Sequence, residues 1–144
     1  MNLFNNRMAG IPAQGLTAPE TILIVDDYAA LCNVAALLLG RCGYRVLTAT
    51  SGEQAKQVAR EQNIDLLLTD VEMPGMQGDE LAAWFRATRP RTQVVFMSGN
   101  PAQLRGLQPC HFVEKPFIHL DALVKEVREV LNNAHADMPA LAAA

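Results

Sequence analysis

No run of lysine or arginine occurs in this chain of 144 residues; its twelve basic residues are scattered, and the formal net charge is −3. A surface that neutralises nucleic-acid phosphates needs clustered basic groups, so that class of partner is not expected. No apolar stretch approaches the ~18 residues needed to cross a bilayer. The N-terminus has no basic region followed by an apolar one, so neither a membrane span nor a secretory signal is expected. Cysteine is sparse: Cys32, Cys42 and Cys110 are odd in number and show no Cys-x-x-Cys spacing. They read as reduced thiols and place the chain in the cytoplasm. No internal repeat is present. No glycine-rich loop follows the first apolar run, where Asp26-Asp27-Tyr28-Ala29-Ala30 is hostile to a pyrophosphate, which weighs against a nucleotide- or flavin-binding module.

Half of the residues are hydrophobic and 19% are charged, an ordinary globular balance. The length suits one domain with a real core. Residues Met1 to Glu20 show no period and read as a flexible lead-in, with order beginning at Thr21. Ile22-Leu23-Ile24-Val25 is a buried-type strand. Leu31, Val34, Ala35 and Leu38 then recur at helical spacing, with Gly40 and Gly43 as stop signals. Tyr44 to Ala49 reads as a second strand. Ser51 and Gln54 have the form of a capping box, opening a helix with a thin apolar face of Ala55, Val58 and Ala59. A third strand, Asp65 to Asp70, carries Leu66-Leu67-Leu68 into a carboxylate and breaks at Pro74-Gly75. A helix from Asp79 to about Thr88 packs through Leu81, Ala82 and Phe85, and Pro90 stops it. Gln93 to Ser98 and Cys110 to Glu114 are the fourth and fifth strands. Leu120, Leu123, Val124, Val127, Val130 and Leu131 form the clearest amphipathic helix. Ala134 to Ala144 reads as a flexible Ala-rich tail. Alternating strands and helices imply parallel βα units: an α/β fold with one doubly wound, five-stranded sheet over residues 21–133.

The chemistry-bearing residues fall just past the carboxyl ends of those strands, where open α/β sheets bind ligands. Asp26 and Asp27 follow the first strand, Asp70 ends the third, Ser98 ends the fourth, and Lys115 follows the fifth. A single Asp at a strand end is ordinarily a cap or turn residue; the coincidence of five is what points to a site. Carboxylates ~4 Å apart at an effective dielectric near 20 repel by about 4 kcal/mol per pair. A divalent cation removes that load, and Mg²⁺ takes one or two carboxylates, water and phosphate oxygens. Ser98 and Lys115 suit the oxygens of a phosphoryl group. Asp70 would then be the nucleophile.

Ile-Leu-Ile-Val-Asp-Asp, Leu-Leu-Thr-Asp-Val-Glu-Met-Pro-Gly-Met-Gln-Gly, Val-Val-Phe-Met-Ser-Gly and Val-Glu-Lys-Pro-Phe together resemble the receiver domain of bacterial two-component response regulators. The resemblance covers Thr21 to about Asn132. It implies a flavodoxin-like fold and Mg²⁺-dependent phosphotransfer onto Asp70 from a histidine kinase or histidine phosphotransfer protein. It implies Mg²⁺ held by Asp27, Asp70 and the backbone carbonyl of Glu72, with Asp26 acting through a metal-bound water. It sets Ser98 at the Ser/Thr switch position, Lys115 at the family's lysine, and Phe112 at the aromatic switch position. Phe112 also reads as a plain core residue of a strand. The Glu72 side chain reads either as a solvated loop carboxylate or as an influence on water access to an acyl phosphate. His111, His119 and His135 have no ligand partners at useful spacing.

Two features depart from the family pattern or leave rivals open. Gly99 to Gly106 has room for only a shortened fourth helix, two turns or a 3₁₀ piece. That puts the usual signalling surface in question. The residues after Asn132 are too few for a DNA-binding output domain, so a stand-alone receiver or one from a hybrid sensor kinase is expected, with an unknown downstream protein and a homodimer both open. The rivals are a degenerate receiver serving as a docking module and a haloacid-dehalogenase-like phosphohydrolase. The latter needs Asp-x-Asp after the first strand, where this chain has adjacent acids.

Overall fold

The computed structural model describes residues 18–104, 111–115 and 120–136. In chain order these form β1 (Thr21–Val25), α1 (Ala29–Arg41), β2 (Arg45–Ala49), α2 (Gly52–Glu61), β3 (Leu66–Asp70), α3 (Gly78–Thr88), β4 (Gln93–Ser98), a 3₁₀ turn (Pro101–Leu104), β5 (His111–Glu114) and α4 (Leu120–Ala136). The strands make one sheet in the order β2-β1-β3-β4-β5, and every neighbouring pair is parallel. This is the flavodoxin-like order, with its switch point between β1 and β3.

The central strands are apolar on both faces because both faces are covered. Ile22, Ile24, Leu66, Leu68, Val95 and Met97 pack under α1 and α4. Leu23, Val25 and Leu67 pack under α2 and α3. Leu66, Leu67 and Leu68 are fully buried; each contributes roughly 1.5–3 kcal/mol of transfer free energy, which holds the end of β3, and hence Asp70, in place.

Helix ends follow their local chemistry. Past Arg41 the chain closes a Schellman motif: Gly43 N–H donates to the Gly40 carbonyl at 3.1 Å and Tyr44 N–H to Leu39 at 3.3 Å. Gly43 takes a φ of 101° there, a conformation that glycine adopts without steric penalty. Gly40 is not a stop signal; it lies inside α1. At α2 the Ser51 hydroxyl accepts from Gln54 N–H at 3.1 Å, and the Gln54 side chain reaches back one residue further than expected, to Thr50 N–H at 2.6 Å. α3 begins at Gly78, one residue early, and Pro90 lies just past its end at Thr88.

The phase of α1 differs from the expected one. Cys32, Ala35 and Leu39 are its buried residues, while Val34 is 49% exposed. The helix is apolar nearly all round, so periodicity does not select a face. Among the described residues after β4, Pro101–Leu104 form a 3₁₀ turn; Gly106, also part of the segment expected to hold a shortened helix, lies outside the described residues. α4 reaches Ala136, taking in the first residues expected as tail. Residue Glu20 already belongs to the fold: its carbonyl accepts from Arg45 N–H at 2.9 Å and its carboxylate meets His135 Nε2 at 2.7 Å. Residues 1–17 of the expected lead-in, Cys110, His119 and residues 137–144 lie outside the described residues. No described helix is long and apolar enough to cross a membrane.

Candidate functional site

Four strand ends assemble one cluster. The β1 ladder runs one residue past Val25, because Asp26 N–H still donates to the Ala49 carbonyl at 3.2 Å. The Asp26 side chain is therefore buried, at 1% exposure, while Asp27, on the next residue, is exposed. Asp26 Oδ1 accepts the Tyr28 N–H at 2.9 Å, which turns the chain into α1. Its Oδ2 accepts from Lys115 Nζ at 3.0 Å. The same ammonium lies 3.2 Å from Asp70 Oδ1. Lys115 is held in register by its own N–H, which donates to the Ser98 carbonyl at 2.8 Å. One carboxylate oxygen from each of Asp26, Asp27 and Asp70 lies within 4.8 Å of the others.

Burial decides the electrostatics. It pushes the Asp70 carboxyl above its ordinary value, the Asp26 charge pushes the same way, and the Lys115 ammonium offsets part of both. Burial alone would lower the Lys115 pKa. The hydrogen bond to Asp26 and the charges of Asp26 and Asp70 outweigh it, and the ammonium is held above its ordinary range. Lys115 is thus a fixed monovalent counter-ion between two carboxylates. The donor set suits a hard divalent cation: three carboxylates supply oxygens only, and exposed Asp27 leaves room for metal-bound water.

The remaining expected residues sort differently. Ser98 is buried at 1% exposure, and its hydroxyl donates to the Asn100 carbonyl at 2.7 Å while accepting Asn100 N–H at 3.0 Å. It lies one residue past Met97, the register partner of Asp70. The Glu72 side chain is exposed. Phe112 is not a core residue: it is 45% exposed, beside Phe96 on the neighbouring strand. The buried residue of β5 is Val113.

Two residues at this site carry no local sequence signal. The Cys32 thiol donates toward the carbonyls of Asp26 at 3.4 Å and Ala49 at 3.9 Å, and burial pushes its pKa up to about 11. Gly78 N–H donates to the Val71 carbonyl at 2.8 Å, and a Cβ built on Gly78 would fall 1.9 Å from the Asp70 carbonyl oxygen. α3 can sit this close to the acceptor strand only with glycine here. Both roles arise from contacts made by the tertiary fold.

Residues 22–128 match the response regulator receiver domain. The chain belongs to that family. This receiver is 30% identical over 113 residues to the autoinducer 1 sensor kinase/phosphatase LuxN of Vibrio harveyi, an alignment that takes in 78% of this chain and 13% of LuxN. It is 31% identical over 129 residues to the transcriptional regulatory protein ZraR of Escherichia coli K12, covering 85% of this chain and 29% of ZraR. The chain therefore spans a small part of both relatives. Among solved structures, the receiver domain of the hybrid histidine kinase CckA is 38% identical with a TM-score of 0.66, covering 77% of this chain and 98% of that one. TrrA of Thermotoga maritima, solved in complex with Mg²⁺–BeF, is 28% identical with a TM-score of 0.70 and the same two coverages. The receiver is a module of two-component signal transduction, and its relatives include both sensor kinases and transcriptional regulators.

Proposed function

We propose that this receiver accepts a phosphoryl group on Asp70 from a histidine kinase or histidine phosphotransfer protein, and that the aspartyl phosphate switches a protein interaction. The observation that carries this reading is the Lys115 ammonium held between Asp26 and Asp70 within a three-carboxylate cluster. An oxygen of Asp70 attacks the phosphorus of a phosphohistidine. The P–N bond breaks, its electron pair stays on that imidazole nitrogen, and the other ring nitrogen keeps its proton, so the donor leaves as neutral imidazole. Asp27, Asp70 and the Glu72 carbonyl would hold Mg²⁺, with Asp26 acting through a bound water, and the ion would supply positive charge against the phosphoryl oxygens. Lys115 moves its hydrogen bonds from carboxylate to phosphoryl oxygen, keeping charge-assisted geometry throughout. Ser98 gives up its bond to the Asn100 carbonyl and donates to the phosphoryl group instead. That exchange couples the site to the turn after β4. Phe112 packs its ring or releases it as this turn moves. The TrrA complex with Mg²⁺–BeF supports the same site chemistry by similarity.

The donor protein docks on α1. Tyr28, Val34 and Leu37 are 66%, 49% and 57% exposed, and Tyr28 is the chain neighbour of Asp27. The described cysteines, Cys32 and Cys42, are free thiols, in keeping with a cytoplasmic protein. The test is intact mass after incubation with Mg²⁺ and acetyl phosphate. The expected result is the gain of one phosphoryl group, absent in Asp70→Asn and without Mg²⁺. No gain, under conditions that label another receiver, leaves the docking-module reading in its place.

A further inference from the structure

The twelve basic residues are scattered in sequence, but the fold gathers four of them. Lys56 and Arg60 of α2 lie 5.6 and 5.9 Å from the centre of the Trp84 ring on α3, and Arg89, just past α3, lies 5.5 Å from it. Arg89 also lines, with Arg91, an adjoining cleft of about 540 Å³. Among the described residues, none of the four has a carboxylate within ion-pair distance. Arg60 reaches only the Gln57 side chain, at 3.4 Å. Arg89 reaches the backbone carbonyls of Thr88 and Ala59 at 3.0 and 3.3 Å. Lys56 and Arg60 are four apart on one helix, a like-charge spacing that destabilises it. Arg89 then adds a third positive charge from the neighbouring helix. The indole returns some cation–π attraction and gives the side-chain stems an apolar surface to cover, but it leaves three positive charges without an anion. In a chain of net charge −3, that is a local charge imbalance; the cleft that Arg89 and Arg91 line holds one carboxylate, Asp65, and lies before the start of β3, whereas Asp70 lies at its end.

We infer that the α2–α3 face around Trp84 docks an acidic peptide segment of a partner protein. Carboxylates from that segment supply the missing anions, and the half-buried indole supplies an apolar floor between them. A nucleic acid fits less well, because the ring that would stack a base already has three cationic side chains over it at 5.5–5.9 Å. This surface is separate from Asp70, and the inference does not depend on phosphotransfer.

Trp84 is the only tryptophan in the chain, so its fluorescence reports on the surface directly. The full chain is titrated with an oligo-glutamate peptide, and in parallel with oligo-glutamine of equal length and with oligothymidylate. The expected result is a saturable emission change with oligo-glutamate alone, lost near 1 M salt, where the screening length is about 3 Å. Lys56→Gln/Arg60→Gln should bind about tenfold more weakly, while the charge-preserving pair Lys56→Arg/Arg60→Lys stays near wild type. Labelling of Asp70 by acetyl phosphate should be the same in all three proteins. A flat titration, equal affinity for oligo-glutamine, full binding by the double Gln variant, or tighter binding of oligothymidylate overturns the inference.

Discussion

Replacing Asp70 by Asn should make the metal-free protein more stable at neutral pH. The Asp70 carboxylate is 7% exposed, and an oxygen of Asp26 lies within 4.8 Å of it. At an effective dielectric near 20 that pair repels by about 3–4 kcal/mol, and Lys115 at 3.2 Å returns about 5 kcal/mol. Exposed Asp27 adds a repulsion reduced by solvent. The charge terms therefore nearly cancel, and the desolvation of a buried carboxylate, several kcal/mol, is left over. Asparagine removes that load but leaves Lys115 with Asp26. A net gain of about 1–3 kcal/mol follows, or a Tm rise of about 3–10 °C. The sign with pH follows from the direction of the shift. Because burial raises the folded-state pKa of Asp70, the load is absent below the unfolded value, near 3.8. It builds as pH rises from that value toward the raised folded pKa and is complete above it. Thermal or urea unfolding of both proteins across that range should show a gap that closes toward acid. Adding Mg²⁺ at about a hundred times its Kd should stabilise the wild type by about 2.7 kcal/mol and shrink the gap from the other side. An Asn variant less stable than wild type at pH 7, or a gap independent of pH, refutes the reasoning.

Gly78→Ala should lower stability by about 2–4 kcal/mol, because its Cβ would meet the backbone of Asp70 rather than a movable side chain. Gly40→Ala, inside α1 with nothing within 4 Å of the new Cβ, should raise it by about 0.5–1 kcal/mol; urea midpoints that move together contradict this contrast. Cys32, buried and with a pKa near 11, should resist alkylation in the native state at pH 8, and peptide mapping that finds it modified as fast as half-buried Cys42 rejects that. Leu37→Asp should change stability by less than about 0.5 kcal/mol while slowing phosphotransfer from a donor protein, with labelling by acetyl phosphate unchanged. An equal effect on both donors removes α1 from the docking surface.

The sheet was legible because its signal is local. Runs such as Leu66-Leu67-Leu68 and Val94-Val95-Phe96 are short, apolar and bounded by turns, and their ends carry the acids. Asp26 and Lys115 could be assigned to one site because parallel topology sends all strand ends the same way. The face of α1 was not legible: in Ala35-Ala36-Leu37-Leu38-Leu39 every register is apolar, and burial is decided by what α4 and the sheet leave room for. The core reading of Phe112 is overturned for a related reason. An aromatic residue in a strand reads as core, but β5 is the edge strand of the sheet. The contacts of Cys32, Gly78 and Trp84 join distant segments, and nothing beside them in the chain announces those partners. The same is true of the basic cluster, whose members read singly as solvated surface.

The bond between Lys115 and Asp26 joins residues 89 apart in sequence, and it closes a site drawn from the ends of β1, β3, β4 and the residue after β5. No shorter fragment of the chain holds the whole set. A nascent receiver carrying β1 to β3 already displays Asp26, Asp27 and Asp70, with the repulsion among them but without the ammonium that relieves it. Long-range parallel pairing is also the slowest part of folding such a sheet. On the function proposed above, competence for phosphotransfer requires the edge strand to have docked, and a receiver truncated before Lys115 would be a poor sink for phosphoryl groups.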